Sequence, residues 1–559
     1  MYDFVDGTFH INIDKDSRKS ATYSKDRLAI SFEGVLLNQQ ESSEKTAKYL
    51  YDKYIRDGEL FVKPLRGSFQ IAVIDGRSPD TRFLFYADHT ASRQIFYHHS
   101  KEGFVFSPDI EPLIPHVYNK TVNEMAMVHF MVSGHFPSGH TAVDEIKVLG
   151  PGEYLALQAG NLEKKQYYRF VLEPDEQMDR REASRALDSV LTERILEYWR
   201  HAEDPAILLS GGYDSQFIFY TIAHAVEDTS RLTTVTWGQH PGRRNADMAI
   251  ARRTAERFGT RHIEIEKTQD HWRAEYDDMF KAQSGMTDSS FYHAHELAVC
   301  KTLHKNYGIR SVMRGDECLG FGPDAHTVQN ALLPSSMSFP KYVPGFEEWF
   351  APENRISERY SRFMTGLVKQ YEYQSYDCLK DTLDFYQRQH MNRNPLNYFK
   401  LDYLEVFCPL IDPDVLDLIS KFPSRFRRHK QLFKKLLETK IGRQLEIAEN
   451  NNLTDWRSEI NRSSELIAFF MEESEKLPSI FNPDFFRSRI FSPGTSHRKN
   501  IKALIKDRVR PLKKILPIEF IQQTLAYRKR HINQSLHIPP HLLMIRAAVL
   551  ARWCDWWIV

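Results

Sequence analysis

Residues 210–215, Ser-Gly-Gly-Tyr-Asp-Ser, constrain what this chain can fold into more than any other stretch of it. The apolar run 206–209 leads directly into them and predicts a buried strand, while residues 216–225 follow with helical apolar spacing. A glycine-rich turn between a strand and a helix points backbone N–H groups and the positive end of the helix dipole outward. The pattern therefore predicts an anion-binding turn at one edge of a sheet.

The residue types in this turn suit a phosphate group. Gly211 and Gly212 let the backbone approach an anion closely, and Ser210 and Ser215 add hydroxyl donors. The turn lacks the lysine of the GxxxxGK[ST] loop, which reaches the β- and γ-phosphates. Asp214 does not attract a phosphate by its own charge, so we expect it to hold a Mg²⁺ ion that does. The alternative is a structural serine–glycine turn between a core strand and a core helix.

The hexapeptide resembles the pyrophosphate-binding loop of ATP pyrophosphatases, which cleave ATP between its α- and β-phosphates to adenylate a substrate. The resemblance implies ATP and Mg²⁺ as cofactors and Asp214 as a catalytic metal ligand. It does not identify the substrate that is adenylated. The ATP-binding residues that it implies in this part of the chain are Leu208, Ser210, Gly211, Gly212, Asp214, Ser215, Thr236 and Trp237.

Length and charge limit the classes of protein to consider. A chain of 559 residues exceeds one comfortable hydrophobic core, so two or more domains are expected. The formal net charge of +1 gives no overall attraction to nucleic acid or to a membrane surface. The first residues show no signal-peptide pattern, no apolar run reaches membrane-spanning length, and the five cysteines lack metal-ligand spacing. These features favour a cytoplasmic globular protein with reduced thiols.

Residues 1–165 contain short β-rich runs that are separated by turn residues. The clearest runs are 28–32, 69–74, 83–86 and 104–106. By themselves they predict a β-sandwich and say nothing about its purpose.

Four fragments of this region resemble, in the same order, the glutaminase half of asparagine synthetases. The resemblance implies a glutamine amidotransferase-like domain, an Ntn-hydrolase-like sandwich, over residues 1–170. It also implies an asparagine synthetase-like ATP-pyrophosphatase domain over residues 180–559. The fragments are 65–69 (similar to LxGxFA), 87–97 (RDxxGxxPLYY), 106–107 (FASE) and 148–154 (the LPPGxY turn).

The chemistry of the glutaminase half is missing from this chain. Family members use a cysteine at the mature N-terminus as nucleophile, but Tyr2 stands here and the first cysteine is Cys300. A phenol with a pKa near 10 is a poor substitute. The glutamine-binding Asn-Gly pair falls near Glu33 and Gly34, where the asparagine is absent, and the family arginine is replaced by Ala87. We therefore expect this domain to be inactive as a glutaminase.

From about residue 180 the chain alternates between predicted strands and helices. The strands are expected at 206–209, 232–236, 262–265 and 309–313. This alternation predicts an α/β domain, adenine nucleotide α-hydrolase-like, with a parallel sheet and with ligands at the carboxyl ends of its strands.

The fourth predicted strand runs directly into an Arg-Gly-Asp-Glu segment, 314–317. The segment resembles SGEGxDExFGG of asparagine synthetases, which implies Gly315, Asp316 and Glu317 as ATP-binding residues and Asp316 as a second catalytic Mg²⁺ ligand. The alternative is a solvated loop or a helix-capping aspartate. Met313 occupies the position of a family glutamate that lies near the acceptor amine, which puts amine activation in doubt.

Beyond residue 330 the sequence predicts mostly helix. Residues 405–412 and 428–430 resemble the ERxPFLD and GK elements of the synthetase domain, and this implies a catalytic role for Lys430. The alternative makes Asp412 a helix cap and Lys430 a surface charge. No equivalent of the family's RxKxxF lysine is evident around 447–452.

Two C-terminal stretches complete the sequence. Residues 487–530 are rich in lysine and arginine, which indicates either a solvated helix face or a surface for an acidic substrate. Residues 542–557 predict a helix that is docked by Trp553, Trp556 and Trp557.

Three functions fit these expectations. The first is an ATP-dependent ligase that adenylates a small-molecule or peptide carboxylate and joins it to an amine without hydrolysing glutamine, similar to β-lactam synthetases and lasso-peptide cyclases. The second is an asparagine synthase-like amidotransferase that acts on aspartate, a sugar acid or another metabolite with ammonia. The third is a catalytically silent binding or regulatory protein of the same fold. Retention of the 210–215 loop and of Asp316 favours an enzyme, while the oligomeric state is left open.

Overall fold

The structure is a computed structural model of a mixed α/β chain. It contains two antiparallel sheets, one parallel sheet and a helical C-terminal region. The residues that it describes are 2–5, 8–11, 20–39, 43–238, 246–267, 272–316, 320, 322–442, 446–448, 460, 463–490 and 535–558.

Two antiparallel sheets form the N-terminal part of the chain, here taken as residues up to 170. Their strands are β1 Tyr2–Val5, β2 Thr8–Ile11, β3 Ser20–Lys25, β4 Leu28–Leu36, β5 Gly67–Asp75, β6 Arg82–Ala87, β7 Phe96–Ser100, β8 Gly103–Ser107, β9 Lys147–Val148, β10 Glu153–Gln158 and β11 Asn161–Gln166. One sheet has the order β2-β1-β8-β7-β9 and the other the order β11-β10-β6-β5-β4-β3.

Aromatic side chains fill the space between these two sheets. Phe83 and Phe85 of β6 alternate along their strand and meet Phe104 and Phe106 of β8, with the Phe85 and Phe106 ring centroids 4.2 Å apart. Because side chains at alternate positions of a strand share a face, this spacing buries one face of each sheet against the other. The predicted β-sandwich is confirmed.

The sandwich also carries two helices that the sequence analysis did not predict, α1 (Ser43–Asp57) and α2 (Glu124–Ser133). Helix α2 is buried over eight of its ten residues, so it lacks the polar face whose period identifies a surface helix. Asn123 caps its first turn, and Gly134, with φ at 82°, ends it in the left-handed conformation.

A five-stranded parallel sheet forms the centre of the C-terminal part, which begins near residue 180. Its strands are β12 Pro205–Leu208, β13 Thr233–Gly238, β14 Arg261–Glu266, β15 Ser311–Met313 and β16 Glu405–Phe407. They lie in the order β14-β13-β12-β15-β16, and every neighbouring pair is parallel. The four predicted strands are confirmed, while β16 lies in a region that was predicted to be helical. Since β12 and β15 are neighbours, the turns that follow them meet at one edge of the sheet.

Helices surround the parallel sheet and form the rest of the described C-terminal part. None of the described helices is long and apolar enough to cross a membrane. The helices are α3 Arg180–His201, α4 Tyr213–Ala225, α5 Asp247–Phe258, α6 Trp272–Ala282, α7 Ser289–Tyr292, α8 Glu296–Tyr307, α9 Val328–Leu332, α10 Ile356–Lys369, α11 Tyr376–Leu383, a π-helical segment Asp384–Arg393, α12 Pro395–Tyr398, α13 Pro413–Ser420, α14 Ser424–Arg427, α15 Gln431–Ile441, and the later helices Ser464–Ser474, Pro483–Ile490 and Pro540–Trp553.

The last helix, Pro540–Trp553, docks onto both parts of the chain. Trp553 is fully buried and donates its indole N–H to the carbonyl of Gly285 over 2.8 Å, which confirms the predicted docking by tryptophans. The buried guanidinium of Arg546 donates to the carbonyls of Met131 and Val132 at the end of α2. Those carbonyls have no partner within the helix, so Arg546 satisfies groups that would otherwise be buried unpaired. The predicted basic stretch 487–530 lies almost entirely outside the described residues.

Candidate active site

The predicted anion-binding turn joins β12, which ends at Leu208, to α4, which begins at Tyr213. The turn is held by its own hydroxyl groups. The N–H of Ser210 donates to Ser215 Oγ and the N–H of Gly212 donates to Ser210 Oγ, both over 3.1 Å. The strand, turn and helix predicted for this segment are therefore present.

The N-terminus of α4 suits an anion. Gly212 precedes the helix in an extended conformation, and no side chain caps the helix. The first N–H groups of a helix have no partner within it, and the helix dipole adds partial positive charge at the same point. The turn can therefore direct several donors at a phosphate group.

Gly211 is required by a close contact with a later segment of the chain. Its carbonyl accepts a hydrogen bond from the N–H of Ala448 over 2.9 Å, and its own N–H donates to Asp247 Oδ1 over 3.0 Å. A Cβ atom on Gly211 would lie 2.5 Å from Ala448 Cβ. Residues 446–448 therefore lie against the turn, and only glycine at position 211 permits this.

Ion pairs hold that covering segment in place. Glu446 binds Arg253 Nη2 over 2.5 Å and Arg257 Nη2 over 3.1 Å, both from α5. Its carbonyl accepts from Gln216 Nε2 over 3.0 Å. These contacts were not evident from the sequence, because Glu446 lies 193 residues from Arg253. Of residues 447–452, where no equivalent of the RxKxxF lysine is evident in the sequence, residues 449–452 lie outside the described part of the chain.

Lys430 lies beside the turn and pairs with Asp214. Its ammonium nitrogen is 2.8 Å from one carboxylate oxygen of Asp214 and 3.0 Å from the other. The two side chains are only 13% and 18% exposed, so Lys430 does not project from the surface as the structural alternative supposed. Asp412, in contrast, does act as a helix cap, accepting from the N–H of Asp414 at the start of α13.

The backbone that presents Lys430 is unusual. His429 and Lys430 are consecutive non-glycine residues with φ at 52° and 58°, in the left-handed region that side chains disfavour. Their N–H groups donate to the carbonyls of Gly322 and Gly320 over 3.1 and 3.2 Å, and these bonds hold the turn. Strained residues of this kind often mark functional sites, where the surrounding structure maintains them.

Gly315 brings the turn after β15 into contact with the turn after β12. A Cβ atom on Gly315 would lie 2.7 Å from the N–H nitrogen of Ser215 and 2.8 Å from Asp214 Cβ. No side chain fits in this space, so the two turns touch through their backbones. The structure thus brings the predicted residues of both turns together.

Asp316 is held in the ionised form by its neighbours. One of its oxygens lies 3.0 Å from Arg314 Nε and accepts from Asn397 Nδ2 over 3.1 Å. Burial opposes ionisation, but Arg314, Arg393 and the Asn397 amide together hold the pKa of Asp316 below its usual value. Its side chain is 12% exposed, so the solvated-loop alternative does not describe it. Glu317, the other acidic residue expected here, lies outside the described residues.

The donor set fits a magnesium ion. Asp214 and Asp316 offer carboxylate oxygens, which Mg²⁺ prefers, from two turns that are in contact. Within the described residues there is no cluster of three histidine, cysteine or acidic side chains. Mg²⁺ usually takes only one or two carboxylates together with phosphate oxygens and water, so two carboxylates are sufficient. Thr236 and Trp237 lie near the end of the adjacent β13, as expected for residues on the nucleotide side.

A charged cluster that the sequence analysis missed lies at the same edge of the sheet. Glu296 is buried, accepts from His293 Nδ1 over 2.6 Å, and lies 3.5 Å from Lys267 Nζ and 3.8 Å from Lys400 Nζ. Lys267 directly follows β14. Burial lowers the pKa of Lys400 to about 8, while the surrounding cations overcome burial and hold the pKa of Glu296 well below its usual value. No sequence motif links these residues.

Arg93 contacts the segment around Glu33 and Gly34, where the resemblance places the glutamine-binding Asn-Gly pair. Its guanidinium lies 3.2 Å from Glu33 Oε1 and donates to the carbonyl of Ser68 over 3.3 Å. Gly34, with φ at 117°, packs against the same carbonyl and against Arg93, because a Cβ there would lie 2.1 Å from Ser68 O and 2.8 Å from Arg93 Nε. The backbone of Tyr2 lies in β1, opposite Phe106 of β8.

Asp88, the aspartate of the family RD pair, is engaged by its own loop. It accepts from the N–H groups of Phe69, Thr90 and Ser92 over 2.9–3.3 Å. The residue before it, Ala87, contributes only a carbonyl, which accepts from Tyr167 Oη over 2.7 Å. A carboxylate bound in this way stabilises a loop.

A small cavity of about 30 Å³ lies between the N-terminal part and the C-terminal part. Asp88 and His89 line it on one side, and Asn394, Asn397 and Cys408 on the other. His89 Nδ1 and Asn397 Oδ1 are buried without a hydrogen-bond partner among the described residues. A cavity of this size with unpaired polar atoms suits one or two water molecules and excludes a larger ligand.

Comparison with known families identifies both parts of the chain. The asparagine synthase family matches residues 186–445, and the glutamine amidotransferase domain family matches residues 10–168. No curated protein sequence matches the chain.

Two solved structures are similar over less than half of the chain. One is glutamine phosphoribosylpyrophosphate amidotransferase from B. subtilis, complexed with ADP and GMP. The match covers 44% of this chain and 47% of that chain, with 11% sequence identity and a TM-score of 0.19. The other is described as the allosteric regulatory enzyme of purine biosynthesis. The match covers 44% of this chain and 62% of that chain, with 10% sequence identity and a TM-score of 0.20. The chain thus spans about half to three-fifths of each.

Proposed function

Because this chain belongs to the asparagine synthetase family, we propose that it is an ATP-dependent ligase that forms an amide bond without hydrolysing glutamine. In this proposal residues 180–559 carry the ligase, and residues 1–170 carry an amidotransferase-like domain that is inactive as a glutaminase. The observation that carries the proposal is the contact of the two turns that present Asp214 and Asp316, with Lys430 beside them.

The proposed reaction has two steps. An oxygen of the substrate carboxylate attacks the α-phosphorus of ATP, and the bond to the bridging oxygen of the β-phosphate breaks, which releases pyrophosphate. An amine then attacks the carbonyl carbon of the acyl-adenylate, and AMP leaves with the electron pair of the broken C–O bond while the amine loses a proton. The products are an amide, AMP and pyrophosphate.

The chain's own residues serve the first step by binding the leaving group. In this proposal the N–H groups at the start of α4 bind pyrophosphate, on a turn that the hydroxyls of Ser210 and Ser215 hold together. Lys430 is placed to neutralise charge on the same group once Asp214 is engaged elsewhere. A Mg²⁺ ion held by Asp214 and Asp316 supplies further positive charge when it is bound. Donors fixed before the reaction act on the charge that develops in the transition state, which is usually the largest catalytic contribution.

The proposal excludes glutamine as nitrogen source for two reasons. Tyr2 replaces the nucleophilic cysteine, and the asparagine of the glutamine-binding Asn-Gly pair is absent near Glu33, which Arg93 contacts. The amine side of the ligase is altered as well, since Met313 replaces the family glutamate and is a fully buried core residue. We therefore assign the nitrogen to an amine on a substrate larger than ammonia. Holding that amine beside the acyl-adenylate supplies much of the rate by proximity.

The test is ATP–pyrophosphate exchange with a panel of carboxylic acids, followed by product analysis with candidate amines. We expect exchange that depends on one class of acid and formation of AMP with an amide. Aspartate with Mg²⁺–ATP and excess ammonium is the discriminating reaction, because it should yield no asparagine. Efficient asparagine formation would return the protein to ammonia-dependent asparagine synthesis, and absence of exchange across a broad panel would favour a silent protein.

A further inference from the structure

The side chain of Asn394, in the C-terminal part, forms hydrogen bonds with the N-terminal part. The amide nitrogen of Asn394 donates to the carbonyl of Thr90 over 2.8 Å and to that of Ala91 over 2.9 Å. Its amide oxygen accepts from Gln389 Nε2 over 3.0 Å. All these residues are buried, and Thr90 and Ala91 belong to the loop that folds around Asp88. The amide nitrogen of Asn394 thus bonds across the interface while its oxygen bonds within the C-terminal part, and these contacts fix the start of α12.

Asn397 continues this connection to the candidate metal ligand. It lies three residues after Asn394, and its N–H donates to the Asn394 carbonyl over 2.7 Å. Its side-chain amide donates to Asp316 Oδ2 over 3.1 Å. A single short turn therefore joins a contact with the Asp88 loop at one end to a contact with Asp316 at the other.

A second connection reaches the same place by a different route. Arg93 of the N-terminal part lies 2.5 Å from Glu405 Oε1, at the start of β16. Strand β16 pairs with β15, and the carbonyl of Phe407 accepts from the N–H of Arg314 over 2.8 Å. Arg314 is the residue that forms the ion pair with Asp316. Both connections end on the turn that carries Asp316.

We propose that the amidotransferase-like part is a positioning element of the ligase, and that Asn394 and Asn397 are the positioning residues through which it orients Asp316. This inference rests on the proposed function for the role of Asp316 as a metal ligand. In this inference the amidotransferase-like part contributes to the ligase through its loops around Asp88 and Arg93, and not through glutamine hydrolysis. Groups that hold a metal ligand in place typically change metal affinity or activity by about 10–100-fold when they are removed.

The substitution Asn394→Asp tests this connection without touching Asp316, the nucleotide loop or Lys430. It keeps the size and shape of the side chain, but it replaces the donor that faces two carbonyls with an oxygen. We expect the rate of ATP–pyrophosphate exchange at saturating ATP to fall at least tenfold and the KM for ATP to stay within about twofold. Asn394→Ser, which retains one hydroxyl donor, should recover part of the rate.

Arg66→Met provides a matched control at the same interface. Arg66 donates to both carboxylate oxygens of Glu197 of α3 over 2.9 Å and lies 3.4 Å from Asp414 Oδ2, and in the described part of the chain it makes no hydrogen bond or ion pair with Asp316. Its loss should lower the melting temperature as Asn394→Asp does, but leave exchange within about twofold of the wild-type rate. Equal loss of stability and of activity in both variants would mean that the interface acts only through stability, which would overturn the proposal.

Two readouts do not require turnover. In the nucleotide-free protein, Asn394→Asp should raise hydrogen–deuterium exchange over residues 311–316 at least fivefold, while Arg66→Met should leave those residues unchanged. With a non-hydrolysable ATP analogue, Asn394→Asp should weaken Mn²⁺ binding, measured by the paramagnetic signal of the free ion, about tenfold or more. Unchanged exchange over residues 311–316 would overturn the positioning role. A wild-type protein without activity on any acid, combined with the expected hydrogen exchange, would instead count against the proposed function alone.

Discussion

Lys430 and Asp214 form an ion pair over 2.8 Å, although they lie 216 residues apart in the chain and come from different turns. The pair brings one cation and one carboxylate to the start of α4. In the proposed function, Lys430 binds phosphate oxygens when a nucleotide and a metal ion engage Asp214. The relationship explains why a lysine should be presented on a turn with two left-handed residues.

Replacing Lys430 by alanine should reduce ATP–pyrophosphate exchange by about 100–1,000-fold, because a fixed positive donor to the leaving group is lost. Lys435→Ala is the matched control, since Lys435 is an exposed residue of the adjoining helix α15 and lies 3.7 Å from its ion-pair partner Glu438. Initial rates at saturating ATP for the two variants decide the matter. Comparable rates for Lys430→Ala and Lys435→Ala would remove Lys430 from the reaction.

The carboxylates of Asp214 and Asp316 should both be needed for pyrophosphate release, so Asp214→Asn and Asp316→Asn should each lose orders of magnitude in exchange rate. Both variants should also lower the melting temperature. Asp316→Asn breaks the ion pair with Arg314 and Asp214→Asn breaks the ion pair with Lys430, and the side chains of both pairs are at most 20% exposed. Asp228→Asn, at an exposed 3₁₀-helix cap, is the control for loss of a carboxylate. Near-normal exchange in either variant would show that the residue does not hold the metal.

Glutamine should not be hydrolysed by the wild-type protein or by a Tyr2→Cys variant. Restoring the thiol does not restore a binding site, because the glutamine-binding asparagine is absent near Glu33, which Arg93 contacts, and Ala87 replaces the family arginine. The measurement is glutamate release against a heat-killed control. Turnover by the wild type would contradict the assignment of an inactive glutaminase, and turnover by Tyr2→Cys alone would show that the pocket is still open.

Glu296 should be essential for stability, because it is the carboxylate between two buried lysines. In Glu296→Gln, Lys267 and Lys400 lose their common counter-ion, and removing one partner of a buried ion pair costs about 3–5 kcal/mol. Urea unfolding should show this loss at neutral pH. Glu358→Gln, on the exposed side of α10, makes the same change of charge and should stay within about 0.5 kcal/mol of the wild type. A similar unfolding midpoint for both variants would contradict the prediction.

Acid should destabilise the protein well above the pH at which carboxylates titrate, because histidines near α2 are buried in the neutral form. Burial lowers the pKa of His135 and of His140 from 6.5 to about 4, and it holds the pKa of His129 well below its usual value. The unfolded chain takes up protons at His135 and His140 near pH 6.5 and the folded chain only near pH 4, so stability falls as pH decreases through this window.

The measurement is the urea midpoint between pH 7 and pH 4, compared with the same series for His140→Gln. Removing one half-buried histidine should reduce the number of protons taken up on unfolding by about one, so stability should decline less steeply with decreasing pH. His99→Gln, at an exposed position of β7, should leave the slope unchanged. A flat profile from pH 6.5 to pH 4 in the wild type would contradict the role of these histidines.

The turn at 210–215 could be predicted because its determinants are local. An apolar run, two glycines and a helical period lie within twenty residues of one another, and the resulting hydrogen bonds between Ser210 and Ser215 span only five positions. The four predicted strands of the parallel sheet were located for the same reason. Strand β16 was missed because it is three residues long within a largely helical region, and nothing local separates it from a turn.

The supports of the site could not be predicted because they join distant parts of the chain. Asn397 lies 81 residues from Asp316, and Arg93 lies 312 residues from Glu405. Helix α2 was not predicted for a related reason. Eight of its ten residues are buried, so its sequence lacks the periodic polar residues that would have identified a helix. The resemblance located the catalytic turns, but the side chains that hold them became visible only in three dimensions.

The contact between Arg546 and the end of α2 has a consequence for biosynthesis. Arg546 follows Met131 by 415 residues, so the carbonyls at the end of α2 lack this partner until 415 further residues have been made. At a synthesis rate of about 5–20 residues per second, this delay amounts to roughly 20–80 s on the ribosome. The contacts at this end of α2 are therefore completed only after residue 546 has been added, long after the rest of the helix has been made.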